Sequence, residues 1–144
     1  MMNGKCMCGA VKVAGQPSQA SMSACHCDMC RRWCGGPFIA VQMVHGSTEI
    51  SGPAKRVQTS DWAERAFCSE CGSTLWYRMT DEADRSYNFA AGLFETGDMP
   101  IALEVWIDEK PSGYAFAGAR KQMTGPEVLA IFEPDAQPNA QGDT

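Results

Sequence analysis

Apolar and polar positions along this chain alternate over short stretches, and glycine or proline interrupts each stretch before a helical period can build. Ala10-Val11-Lys12-Val13-Ala14 alternates as a half-buried strand does, directly after Cys6-Met7-Cys8-Gly9. Phe38 to Val44 is a strongly apolar run that follows Gly35-Gly36-Pro37, a helix-breaking triplet. Thr48 to Ser51, Arg56 to Thr59, Leu75 to Met79, Tyr87 to Ala91 and Leu103 to Ile107 read as further strands, rich in aromatic and β-branched residues. Asp28 to Trp33 is long enough for one helical turn, and Asp81 to Asp84 reads as an acidic turn. A single short helix is predicted near the end, with Thr124 as its cap, Pro126 in its first turn, and Val128, Leu129, Ile131 and Phe132 as its apolar side. The pattern predicts one mostly β domain over residues 1–133. Residues 134–144 lack core formers and are expected to be a disordered tail.

Charge and composition narrow the function. The net charge is −5, and twelve Lys and Arg form no stripe, so a nucleic-acid partner is not expected. No apolar run reaches membrane-spanning length, and the N-terminus lacks the apolar core of a secretion signal. The expected location is therefore cytoplasmic, where disulfides are rare. Eight cysteines in such a chain point to metal.

Their spacing divides them. Cys68-Ser69-Glu70-Cys71-Gly72 is a zinc knuckle, and Cys6-Met7-Cys8-Gly9 supplies a matching pair upstream, so four thiolates complete one closed tetrahedral site. A disulfide framework or buried inert thiols are the alternatives for these four. Cys25, Cys27 and Cys30 offer three ligands from one loop to a second zinc, leaving one position open. A zinc with three thiolates acidifies water poorly, so a substrate thiol suits that position better. The alternative is a second closed site, with Cys34 or His26 as fourth ligand. His26 alternates with two ligands, which fits a supporting partner better than a ligand. Trp33 is a core former by default, although it stands close enough to the trio to wall a pocket.

Cys6-x-Cys8-Gly9-x-Val11, Cys25-His26-Cys27-x-x-Cys30-Arg31 and Phe67-Cys68-x-x-Cys71-Gly72 resemble the glutathione-dependent formaldehyde-activating enzyme family, the Gfa/CENP-V domain. Val105 to Pro111 is similar to that family's last strand and its Lys-Pro end. The resemblance implies a zinc-stabilised β-tent-like fold with two Zn2+ per chain. One is structural, at Cys6, Cys8, Cys68 and Cys71, and one is catalytic, at Cys25, Cys27 and Cys30. It implies a carbon–sulfur lyase acting on a small thiol adduct, with glutathione as co-substrate and S-hydroxymethylglutathione as product. Glutathione carries carboxylates, and Arg31 and Arg32 are the nearest cations in sequence to the trio. The second function class is a non-catalytic zinc-stabilised binding domain. The CENP-V branch would be expected to carry a basic or Pro-rich extension, and this chain has neither. The sequence does not set an oligomeric state.

Overall fold

The computed structural model describes residues 1–80 and 86–132. Among these, the strands in chain order are β1 (Met2–Lys5), β2 (Lys12–Gly15), β3 (Met22–Cys25), β4 (Phe38–Gln42), β5 (Glu49–Ser51), β6 (Ala54–Ser60), β7 (Ala63–Cys68), β8 (Thr74–Met79), β9 (Tyr87–Ala90), β10 (Ile101–Val105) and β11 (Lys121–Met123). Helix α1 (Asp28–Cys34) lies between β3 and β4, and α2 (Gly125–Phe132) follows β11. The protein is mostly β, as the alternation predicts, and besides the expected C-terminal helix the single turn expected from Asp28 to Trp33 is a seven-residue helix. The acidic turn and the C-terminal tail expected from the sequence lie outside the described residues.

The chain forms two compact units. The first comprises Met1–Met22 and Ile39–Pro100. Within it, β1, β2 and β5 form an antiparallel sheet in that order, and β4, β9, β8, β7 and β6 form a second antiparallel set. Val11, Val13, Val41, Met43, Leu75, Trp76 and Phe89 make its core. Trp76 and Phe89 face each other across β8 and β9, their rings edge to face at 6.1 Å, an arrangement that suits the ring quadrupoles. The buried indole is satisfied because its N–H donates to Glu64 Oε2 at 2.9 Å.

The second unit comprises Ser23–Phe38 and the described residues from Ile101 onward. Its strands run in the order β11, β10, β3, and β10 pairs with β11 in parallel. The strand expected to reach Ile107 stops at Val105, because Trp106 takes a left-handed backbone with φ 57°. That conformation costs a non-glycine residue on the order of 1–3 kcal/mol, so the surroundings must hold it. Trp106 is buried, and its ring lies against the backbone of Gly125. A Cβ at Gly125 would stand 2.1 Å from that ring. Gly125→Ala is therefore expected to destabilise the protein by about 1–3 kcal/mol through overpacking, read as a lowered midpoint in thermal melting.

The α2 start bears out the cap. Thr124 Oγ1 accepts from the Glu127 N–H at 3.3 Å, and Glu127 Oε1 accepts from the Thr124 N–H at 2.7 Å. This reciprocal pair is a capping box. The apolar side is less covered than expected, since Ile131 is exposed.

Candidate metal centres

In the first unit, Cys6 and Cys8 leave β1, while Cys68 ends β7 and Cys71 precedes β8. Both pairs end in a glycine-closed turn, one residue longer at the second pair. Gly9 and Gly72, each just after the second cysteine, adopt φ near 80°, which costs glycine nothing. Their N–H groups donate back to Cys6 O and Cys68 O at 3.1 and 2.8 Å. Ser73 ties the two turns together: its hydroxyl accepts the Met7 N–H at 3.0 Å and lies 3.1 Å from Cys71 Sγ. The four sulfurs lie within 4.8 Å of one another. Cys6 to Cys8 is 3.6 Å and Cys8 to Cys68 is 3.9 Å. A tetrahedral zinc with sulfur at about 2.3 Å requires sulfurs ~3.8 Å apart, so the cluster fits that ion.

Crowded thiols share protons unequally. The Ser73 hydroxyl and backbone hold Cys71 down to about 5. At Cys8 the Ala10 backbone hydrogen bond favours the thiolate, yet burial and the three neighbouring thiols prevail and push the group up to about 12. A cation removes this conflict, because a coordinated thiol loses its proton outright.

In the second unit, β3 delivers Cys25, and Cys27 is the N-cap of α1. The Cys27 sulfur accepts the Cys30 N–H at 3.3 Å, the contact a capping side chain makes. The first helical turn thus folds Cys30 back onto Cys27. Gly35, in left-handed conformation, closes the helix with its N–H on Arg31 O. Cys25, Cys27 and Cys30 place their sulfurs within 4.8 Å of one another, with Cys27 and Cys30 buried. Hydrogen bonds from Cys27 and Cys30, together with burial, push the Cys25 thiol well up. Among the described residues this cluster offers three ligand atoms. Cys34, one alternative for a fourth, is exposed and stands outside the cluster.

His26, the other alternative, is fully buried and its ring serves different partners. Nε2 lies 2.7 Å from Glu104 Oε1, and Nδ1 lies 2.9 Å from the Tyr114 hydroxyl. Burial pushes the Glu104 carboxyl up, but hydrogen bonds from Arg120, His26 and Gln122 outweigh it and hold the group below its ordinary value. Ionised Glu104 can only accept, so His26 Nε2 donates to it, and the Tyr114 hydroxyl meets the opposite ring nitrogen. Sequence reasoning missed Glu104, Tyr114 and Arg120. The one signal available was a lone acid in the apolar run Ile101 to Val105.

Arg31 and Arg32 separate. Arg31 is partly buried and donates through Nε to His26 O at 3.0 Å, while its Nη2 lies 3.9 Å from Asp28. Arg32 is 78% exposed in its side chain and pairs with Asp28 at 3.1 Å. Trp33 packs against Phe38 with ring centroids 4.8 Å apart and the rings tilted by 39°. No helix among the described residues is long and apolar enough to cross a membrane.

Comparison with known proteins finds relatives of this chain. Residues 1–109 match the family model described as glutathione-dependent formaldehyde-activating enzyme. An uncharacterised lyase of Schizosaccharomyces pombe is 33% identical over 128 residues, covering 88% of this chain and 93% of the relative. A protein of Halomonas elongata, provisionally named as a glutathione-dependent formaldehyde-activating enzyme, is 31% identical and covers 77% of this chain and 78% of the relative. A crystal structure of a Rhodobacter sphaeroides protein shares the fold with a TM-score of 0.57, at 23% identity, over 70% of this chain and all of that one. The family model and the Halomonas elongata relative are named for formaldehyde activation and the Schizosaccharomyces pombe relative as a lyase, and the chain is a lyase. It belongs to the glutathione-dependent formaldehyde-activating enzyme family.

Proposed function

We propose that this protein is a zinc-dependent carbon–sulfur lyase acting on a small thiol adduct, joining glutathione to formaldehyde and releasing them in reverse. One observation carries the reading: three sulfurs converge from a single loop, and neither His26 nor Cys34 completes the set. A four-ligand zinc is structural, whereas three protein ligands leave a coordination position for a reactant. Two zinc ions per chain follow, one at each cluster. Zinc bound to the trio supplies a charge that favours the thiolate form of a substrate thiol at neutral pH. Seven ligand thiolates also suit a reducing, cytoplasmic setting.

The chain's own residues bind and orient. Arg31 is fixed through Nε, and at 3.9 Å from Asp28 its Nη2 makes no proper hydrogen bond there, which leaves donors for a glutathione carboxylate. Arg32 is spent on Asp28 in solvent and contributes less. In the bond-forming step the sulfur lone pair enters the aldehyde carbon. The C=O π pair moves to oxygen, and the proton given up by the thiol balances the new hydroxyl.

Exchange NMR of glutathione mixed with formaldehyde measures the adduct rate with and without protein. Wild type is expected to accelerate exchange. Arg31→Ala is expected to need about tenfold more glutathione for half-maximal rate, the scale of one charge-assisted hydrogen bond. Wild type that neither accelerates exchange nor binds glutathione at millimolar concentration would exclude this substrate and favour the binding-domain class.

A further inference from the structure

His26 stands between two ligand cysteines, and each of its polar atoms is engaged. Its N–H donates to Val105 O at 3.1 Å, and its C=O accepts from Arg31 Nε at 3.0 Å. Its ring nitrogens meet Glu104 and Tyr114 at 2.7 and 2.9 Å. Glu104 is almost completely buried, and its other oxygen, Oε2, accepts from Arg120 Nη1 at 2.8 Å and Gln122 Nε2 at 3.3 Å. Arg120 in turn donates through Nε to Ile101 O at 3.0 Å, and Phe116 packs near both the His26 ring and the Arg120 guanidinium. The residue that follows Cys27 is tethered too, since the Asp28 N–H donates to Glu109 Oε1 at 2.8 Å.

A buried carboxylate and imidazole are costly to desolvate, and a fold that needed only packing would do as well with apolar groups. What the network does here is fix one residue, and through it the backbone on both sides. Cys25 and Cys27 are the immediate neighbours of His26, so its placement sets where their sulfurs point. Tyr114, Phe116, Arg120 and Gln122 lie beyond residue 109, where the match to the family model ends.

We propose that Glu104 is the positioning residue of the three-cysteine metal site, acting through His26 to hold Cys25 and Cys27 in ligating geometry, with Tyr114 clamping the opposite ring nitrogen. The proposal rests on the reading that the trio binds zinc, not on the identity of the thiol. Supporting groups of this kind typically tune metal affinity ten- to a hundredfold.

The test is zinc binding by the whole chain, read by competition with a chromophoric chelator, alongside cobalt(II) substitution and its thiolate charge-transfer band. Glu104→Gln keeps an acceptor for His26 but turns an amide N–H2 toward the Arg120 donors. Tyr114→Phe removes one oxygen and keeps the ring, so it stays informative if the first variant fails to fold. Each is expected to weaken the second zinc roughly tenfold, to shift the cobalt band of the trio, and to leave the four-cysteine zinc bound as in wild type. Because both act through His26, the double variant is expected to lose much less than the product of the two effects. Unchanged affinity for the second zinc, fully multiplicative losses, or equal weakening of both zincs would each overturn the proposal. Should the zinc effects hold while wild type shows no glutathione chemistry, the substrate reading fails and the positioning role stands.

Discussion

Cys71→Ser is expected to abolish the folded state rather than merely weaken a metal site. Cys71 and Cys68 meet Cys6 and Cys8 across a separation of sixty residues, joining the turn after β1 to the turn after β7. The binding free energy of a structural zinc is folding free energy, with apparent values of about 10–16 kcal/mol in small zinc domains. Domains of this size keep a net stability of only ~5–15 kcal/mol, so loss of the ion removes the whole margin. The Ser73 hydroxyl and backbone hold the Cys71 thiol down to about 5, which favours the thiolate a metal would take. Serine cannot replace that thiolate. Circular dichroism should show loss of the cooperative melt, and elemental analysis should show zinc at this site gone. A variant that melts like wild type would refute the structural assignment.

The opposite outcome is expected for Cys27→Ser. The trio is drawn from one short loop and helix start, so a metal held there would not bridge distant parts of the chain. Serine is a favoured N-cap, and its hydroxyl can take over the Cys30 N–H that Cys27 Sγ now accepts. The helix start is therefore preserved while a thiolate is lost. Zinc should fall from two ions per chain to one, the melting midpoint should stay close to wild type, and acceleration of glutathione–formaldehyde exchange should vanish. Retention of both ions with full activity would show that the roles of the two clusters are misassigned.

The two experiments differ in outcome because the clusters differ in span, and span was legible in the sequence. Spacing alone named all seven clustered cysteines, since metal geometry constrains which thiols can meet. Strands rich in aromatic and β-branched residues, such as Leu75 to Met79, were equally clear because local preference and burial agree there. β1, Met-Asn-Gly-Lys, had no such signal, and it forms because β2 offers it an edge. The early end of β10 was hidden for a related reason. Trp106 favours a strand by propensity, and its left-handed backbone goes with tertiary packing against Gly125 that no local pattern reveals. The alternation of His26 with its neighbours pointed to a supporting partner rather than a ligand, and its ring nitrogens meet Tyr114 and Glu104. Its partners did not follow, because Glu104 and Tyr114 lie 78 and 88 residues away and share no motif with it.

The reach of that histidine network bears on where the protein can be cut. The family match ends at residue 109, and a chain shortened there would keep every cysteine of both clusters. It would also strip His26 Nδ1 of the Tyr114 hydroxyl, leave Glu104 buried without its Arg120 and Gln122 donors, and remove β11 from beside β10. If the network positions the trio as proposed, the smallest working unit extends past the shared region to at least Met123, and a boundary drawn from likeness alone would give a fragment with all seven clustered cysteines and no support beneath three of them.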